Sequence, residues 1–301
     1  MNVLLTGANG FLGKFIAKEL SKDNVIFGLS RSSDYYQFSL ESEIPKFNQY
    51  FDFVIHAAGK AHNTPNSRAE VQSFYEVNVT GTMNLLQGIE QVGLPKKIVF
   101  ISSVSVYGEL NAEMVKEESE LKATDPYGKS KIEAEKLILN WCREKGVLCT
   151  ILRLPLLVGP NPPGNLGHMI KAINKGFYFN VAGGGAKKSM VLATDVARFV
   201  MKASKVGGVY NLTDGYHPSF WELSNSISGQ LGKSNPKNLP LSIARVMANV
   251  GDLIGKKAPI NSVKLNKITS SLTFDDTKAR LAFGWDPIQV LKALKLSNIN
   301  L

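Results

Sequence analysis

Val3-Leu4-Leu5-Thr6-Gly7-Ala8-Asn9-Gly10-Phe11-Leu12-Gly13 opens the chain with an apolar run short enough for a strand, then three glycines spaced Gly-x-x-Gly-x-x-Gly, then a helix-period segment from Phe11 to Ser21. Between a strand and a helix, glycines at this spacing permit a tight turn and let an anionic ligand approach the backbone. The helix also packs close to the strand, and its N-terminal amides face the ligand. The arrangement predicts a dinucleotide pyrophosphate held by Gly7, Asn9, Gly10, Phe11, Leu12 and Gly13. The spacing departs from the commoner Gly-x-Gly-x-x-Gly, and a bare strand-to-helix turn is the plainer alternative.

Working outward, short apolar runs alternate with longer helix-period segments as far as about residue 155. The predicted strands are Val3–Thr6, Asn24–Leu29, Phe53–Ala57, Lys97–Ser102 and Leu148–Arg153, with two more at Ser189–Leu192 and Val209–Leu212. Helices are predicted at Phe11–Ser21, Tyr75–Val92 and Tyr127–Lys145, with Gly93 and Gly146 placed where helix C-termini favour a positive φ. This alternation implies an α/β fold, a Rossmann-type doubly wound parallel sheet with a smaller, mixed C-terminal substrate-binding region. The stretch from Arg31 to Tyr50 is short for the usual complement, so one element there is expected to be missing or reduced. We divide the chain into a dinucleotide-binding domain over 1–158, which also receives strands from about 189–212, and a mainly substrate-binding region over 159–301. In the second part, Gly159-Pro160-Asn161-Pro162-Pro163-Gly164 and Gly183-Gly184-Gly185 read as loops, and Pro218-Ser219-Phe220-Trp221-Glu222 opens a helix with a capping box. Leu239–Ile254 is amphipathic. A core-packing helix is the safer reading, against one that covers the substrate cleft or rests on another surface.

The 301 residues are 44% hydrophobic and 20% charged, the balance of an ordinary globular chain. No apolar run approaches the roughly 20 residues of a membrane span, and no basic start with a cleavage site follows Met1, so a cytoplasmic protein is expected. A net charge of +10 suits a phosphate-bearing ligand. The lysines are scattered and no aromatic-plus-basic module is visible, so nucleic acid is not the expected partner. Cys142 and Cys149 read as reduced thiols, and no metal site is expected.

At the end of the second strand, where a carboxylate would bind the adenosine ribose of NAD, the chain has Ser30-Arg31. A guanidinium there can hold a 2′-phosphate in a fork, which leans towards NADP. Stacking on adenine, or simply facing water, are the other uses of Arg31, so the cofactor reading is NAD or NADP. His56-Ala57-Ala58-Gly59 places small residues where a cofactor would cross the sheet edge, close packing being the alternative.

Pro126-Tyr127-Gly128-Lys129-Ser130-Lys131 begins the third long helix, so Tyr127 and Lys131 share a face. An ammonium beside a phenol lowers its pKa and makes a usable acid/base. Tyr-x-x-x-Lys alone is common. Here it accompanies Ile101-Ser102-Ser103-Val104-Ser105-Val106-Tyr107-Gly108 at a strand end, where a hydroxyl could meet the same substrate oxygen. With these motifs the chain resembles the extended short-chain dehydrogenases/reductases, in the nucleotide-sugar epimerase/dehydratase branch. The resemblance extends to Asp52-Phe53-Val54-Ile55-His56-Ala57-Ala58, to Asn78-Val79-Thr80-Gly81-Thr82-Met83-Asn84-Leu85-Leu86 and to Leu152-Arg153-Leu154-Pro155-Leu156-Leu157-Val158-Gly159-Pro160.

By that resemblance Ser103 polarises the sugar oxygen, Tyr127 exchanges its proton, and Lys131 also holds the nicotinamide ribose, with Asn78 on the cofactor side. Ser102 and Ser105 are the rival hydroxyls, and Ser105 also counts among the substrate contacts. Asn165 and Lys188 match positions that touch the nucleotide-sugar diphosphate. Lys188 replaces an arginine, which loses the bidentate geometry, and both positions also read as plain surface loop. Asp195 reads as a helix cap. The family's 4,6-dehydratases carry Thr-Asp-Glu where this chain has Ser103-Val104-Ser105, so dehydration is not expected. The resemblance implies a nucleotide-sugar 4-epimerase, with an NADPH-dependent 4-keto-sugar reductase close behind and a non-catalytic dinucleotide sensor third. It also implies a homodimer through Tyr75–Val92 and Tyr127–Lys145.

Overall fold

Val3, Leu4 and Leu5 form an unbroken apolar strand because both faces of it are covered, the condition that parallel sheets impose on their central members. The computed structural model describes residues 1–294 apart from 33–34, 62–64, 66, 163, 255–257 and 259. Strand β1 (Asn2–Thr6) lies inside a seven-stranded sheet with β2 (Val25–Ser30), β3 (Tyr36–Gln37), β4 (Phe53–His56), β5 (Lys97–Ser103), β7 (Leu148–Leu154) and β11 (Gly208–Asn211). Their order is β11-β7-β5-β4-β1-β2-β3 and every pairing is parallel. The remaining strands form three two-stranded pairs: β6 (Ala112–Val115) with β13 (Leu272–Phe274), β8 (Leu156–Val158) with β10 (Met190–Leu192), and β9 (Phe179–Val181) with β12 (Lys237–Leu239).

Alternate side chains of the sheet feed two cores. Val3, Leu5, Phe53 and Ile55 pack with Leu12, Ile16 and Leu20 of α1 (Phe11–Leu20) and with Val196 and Val200 of α6 (Ala193–Ala203). Leu4, Val54, Ile98 and Phe100 face the other way, onto α3 (Gly81–Glu90) and α4 (Pro126–Lys145). The strand order reverses between β1 and β4, so the crevice of a doubly wound sheet opens at Gly7 and Ala57, just beyond the paired Thr6 and His56. Gly93 and Gly146 have φ of 109° and 68°, as expected of residues that end helices.

The short stretch after Arg31 shows what was lost. β3 has two residues, and no helix is found on either side of it among the described residues. Tyr36, Phe47 and Phe51 fill the space with edge-on aromatic contacts, and Pro45 lies where a Cβ at Gly88 of α3 would come within 2.5 Å of its carbonyl. The expected helix Tyr75–Val92 is instead α2 (Arg68–Tyr75), one π-helical turn over Glu76–Thr80, and α3. The wider turn carries Asn78 inward, and π turns of this kind recur at functional sites.

The C-terminal part corrects three expectations. The strand predicted at Ser189–Leu192 pairs with β8 outside the main sheet, and of the two late strands β11 joins the sheet. Asp195 does not cap α6. It accepts from Arg198 and from the Ile288 backbone, tying down the chain's last segment. Helix α8 (Leu241–Ile254) packs Ala244, Ala248 and Gly251 inward but leaves much of its apolar surface exposed, so it is not a simple core helix. Helix α9 (Ser262–Thr269) packs on it, α5 (Gly164–Asn174), α7 (Phe220–Gln230) and α11 (Val290–Ala293) share a separate core, and α10 (Thr277–Phe283) packs against the main sheet's α1/α6 side. Ser219 and Glu222 make the expected capping box at α7. Of the loop before α5, Pro163 lies outside the described residues.

Candidate active site

The glycine turn is folded as tightly as its sequence allows. Gly7 has φ +67°, its N–H donates to the Leu29 carbonyl at 2.8 Å, and Gly10 donates back to the Gly7 carbonyl at 2.8 Å. A Cβ on Gly7 would meet the Ala58 nitrogen at 2.8 Å, and one on Gly13 would meet the Gly7 oxygen at 2.1 Å. Gly10 caps α1 without a side chain, and no carboxylate lies in the first turn, so the positive helix end is not neutralised locally. The Asn9 amide donates to the Ser32 carbonyl at 2.7 Å and brings the turn after β2 against the glycine loop. These residues fit a dinucleotide pyrophosphate. Gly13→Ala is expected to weaken NAD binding roughly ten- to a hundredfold, the equivalent of about 1–3 kcal/mol of overpacking, in a fluorescence titration with folding checked by circular dichroism.

Ser30 and Arg31 stand beside that loop. The Arg31 side chain is 79% exposed and only 3.9 Å from Glu41, a loose pairing. Ala57, Ala58 and Gly59 line the edge across from Gly7, and the Ala58 N–H donates to Thr6 Oγ1 at 3.1 Å.

His56 departs from its expected role at the cofactor. It is 1% exposed and wedged between Thr6 and Thr82. Thr82 Oγ1 gives its proton to the Asn78 carbonyl and so accepts from His56 Nε2, which leaves His56 Nδ1 to accept from Thr6. Burial, assisted by Lys131, pushes His56 down to about 3 and keeps it neutral. It is a structural strut between sheet and α3.

Asn78 is likewise engaged within the protein. Its oxygen accepts from the Lys60 N–H, and its amide donates to the Lys60 carbonyl and to Ser130 Oγ, which itself donates to the Tyr127 carbonyl. The π turn thereby fixes both the strand-end loop at Gly59 and the start of α4. Asp125 caps α4 and Pro126 opens it, so Tyr127 and Lys131 project from its first turns.

Lys131 is buried. Its Nζ donates to the Ile101 carbonyl at 2.7 Å and lies 3.9 Å over the Phe100 ring, near the face of Gly59. Burial lowers it to about 7, with Glu135 one turn later opposing the shift. Tyr127 is pushed up by burial and by Asp125, while the Ser103 and Ser105 hydroxyls favour its phenolate. The expected lowering of Tyr127 by Lys131 is therefore not what the structure shows, because the ammonium is desolvated and committed to β5.

The three candidate hydroxyls separate. Ser102 Oγ donates to Glu135 at 2.5 Å and is drawn beneath the site. Ser103 and Ser105 both stay beside Tyr127, Ser103 Oγ accepting from the Ser105 N–H and the buried Ser105 Oγ facing the same phenol. Beneath them lies a network that periodicity did not reveal. Glu135 takes two bonds from Arg153, at 3.1 and 2.7 Å; Arg153 reaches the Tyr107 hydroxyl, and Tyr107 donates to Asn211 at 2.8 Å. It joins α4, β5, β7 and β11 under the site.

Asn165 is exposed in the first turn of α5, and no hydrogen bond ties it to the Tyr127 cluster among the described residues. Lys188 is desolvated and close to Lys267 of α9, which the sequence did not single out; burial and that neighbour lower it to about 8. No carboxylate forms an ion pair with either lysine among the described residues, so the positive charge of the two is not neutralised within the protein. The thiols of Cys142 and Cys149 are free but close enough to interact, and no His/Cys/Asp/Glu group suited to a metal occurs among the described residues.

A glycine cradle at the sheet's switch point, a Tyr/Lys pair and strand-end hydroxyls thus share one edge. The sequence profile of the NAD dependent epimerase/dehydratase family matches residues 3–212. The chain belongs to this family. It is an NAD(P)-dependent enzyme of the extended short-chain dehydrogenase/reductase type. Among its relatives is the N-acetyl-alpha-D-glucosaminyl-diphospho-ditrans,octacis-undecaprenol 4-epimerase of Escherichia coli O157:H7, 29% identical over 92% of this chain and 88% of that one. The UDP-glucose 4-epimerase of Vibrio cholerae is 27% identical over 97% of this chain and 92% of that one. The fold matches a UDP-glucose 4-epimerase from Thermotoga maritima with a TM-score of 0.77 at 22% identity, over 99% of this chain and 97% of that one.

Proposed function

We propose that this member is a 4-epimerase of a nucleotide-linked hexose, acting by transient oxidation at C4. The observation that carries the reading is Tyr127 beside the Ser103 and Ser105 hydroxyls, with Lys131 one turn along the same helix. Residues 7–13 would hold the pyrophosphate, Ser30 and Arg31 the adenosine ribose, Ala57–Gly59 the crossing, and Lys131 and Asn78 the nicotinamide ribose side. When bound, the nicotinamide supplies the acceptor and donor of hydride. Ser103 and Ser105 hold the C4 oxygen, and Tyr127 takes the hydroxyl proton as C4 is oxidised. After the ketosugar turns over, Tyr127 returns the proton to the other epimer. Nothing between Ser103 and Ser105 supplies the carboxylate that elimination of water would need. Lys188 and Lys267, with Asn165, would meet the diphosphate.

Two alternatives rest on particular observations. The exposed Arg31 in place of a carboxylate favours an NADPH-dependent reductase of a 4-keto-sugar. The name of the E. coli O157:H7 relative favours a polyprenyl diphosphate as carrier, and the lysine pair suits the diphosphate of either. A homodimer through α3 and α4, which expose Met83 and Leu139, and a cytoplasmic location complete the reading. The test is to denature the protein, identify the released dinucleotide, and then incubate the protein with UDP-hexoses and NADPH. Tightly held NAD and interconversion of C4 epimers without net cofactor consumption are expected; stoichiometric NADPH loss with a 4-keto-sugar would replace the epimerase by the reductase.

A further inference from the structure

Helix α8 is the most conspicuous unassigned surface. Ile243, Val246, Met247, Val250, Leu253 and Ile254 recur at the i, i+3, i+4, i+7 spacing of one helical face, and all six are exposed, Leu253 at 89%. The opposite side carries Ala244 and Ala248, which seat the helix against Val181 of β9 and Leu265 of α9, and Gly251, which lies against the Ile260 backbone. Val263, also exposed, extends the patch onto α9. Apolar side chains scattered singly need no explanation, whereas a continuous stripe of this length marks a binding surface.

Charge identifies the occupant. Residues 231–271 hold seven basic side chains and one acidic one, Asp252, whose carboxylate is occupied by Ser262. Lys233, Lys237, Arg245, Lys264 and Lys267 are exposed. An apolar stripe flanked by cations is complementary to a lipid surface with anionic headgroups: the stripe enters the acyl boundary and the cations meet the phosphates. A second copy of the chain would bring the same basic segment face to face with itself, and a nucleic acid would gain nothing from six bared aliphatic side chains. No described helix is long and apolar enough to cross a membrane, which leaves a helix lying in the interface plane.

We propose that α8 docks this enzyme on an anionic lipid bilayer. The surface is independent of the 4-epimerase reading but bears on it, since α9 packs on α8 and also carries Lys267 beside Lys188. Docking would set that cation pair next to the headgroup layer, where the diphosphate of a lipid-borne sugar lies.

The test is co-sedimentation of the full chain with vesicles of phosphatidylglycerol and phosphatidylcholine, against vesicles of phosphatidylcholine alone. Binding is expected to require the anionic lipid, to fall with added salt, and to weaken by about tenfold or more in Val246→Asp/Leu253→Asp. Both changes are at exposed positions, so circular dichroism and turnover of a soluble nucleotide sugar should be unchanged, which keeps the result separate from the fate of the epimerase reading. Three outcomes overturn the proposal: no sedimentation with the anionic vesicles, sedimentation that the double variant does not alter, or a variant whose sole effect is to turn a dimer into monomers by light scattering.

Discussion

Tyr127→Phe is expected to lower kcat by about 10²- to 10⁴-fold, the usual contribution of a positioned acid/base, with the dinucleotide still bound and KM little changed. The ring keeps its packing against Phe74, so the loss should be chemical and not structural. The pH profile gives an independent check. Burial raises Tyr127, so its phenolate fraction climbs with pH across the neutral range, about tenfold per unit. Lys131 is lowered to about 7, so the accompanying ammonium is complete below that pH and declines above it. The product of the two rises up to about pH 7 and then levels until Tyr127 itself ionises. A rate that falls as pH rises from 5 to 7, or a Phe variant that keeps both rate and slope, would remove Tyr127 from the proton path.

Arg153→Met should be the most destabilising single change near the site. Arg153 and Glu135 are 5% and 2% exposed, and their pairing offsets a large desolvation cost. Removing the cation strands a buried carboxylate that also accepts from Ser102, and breaking such a pair costs about 3–5 kcal/mol. Urea unfolding followed by fluorescence should show the loss. Arg153→Met with Glu135→Gln should recover at least part of it, because the stranded charge is gone. If the single variant unfolds like the parent, the network is not the brace described above. Breaking the pair is what costs stability; replacing both partners by apolar side chains of matching volume is expected to be near neutral.

Much of this was legible in order of residues. The glycine turn, the Tyr127/Lys131 pair, the capping box at Ser219 and the positive-φ glycines at Gly93 and Gly146 are all set within a few positions, where strand and helix periods and backbone sterics act directly. The family resemblance held for the same reason: its motifs are local. What changed were particular side-chain roles that depend on neighbours distant in sequence. His56 reads as a cofactor contact in the sequence, whereas Thr82 and Thr6 enclose its ring, and Ser102, a rival to Ser103, is claimed by Glu135 across 33 positions. The helix from Tyr75 was expected whole, but the π turn answers to Lys60 and Ser130.

The chain by itself therefore determined the parallel sheet, its ligand-binding edge and the residue types available for proton transfer, since each follows from short-range periodicity. Tertiary structure decided which hydroxyls stay beside Tyr127, that Lys131 is desolvated, that Lys267 acts on Lys188, and that α8 keeps a bare apolar face. Those outcomes depend on burial and on charges brought together from separate segments, as when Tyr107 meets Asn211 across 104 positions, and no local pattern encodes them.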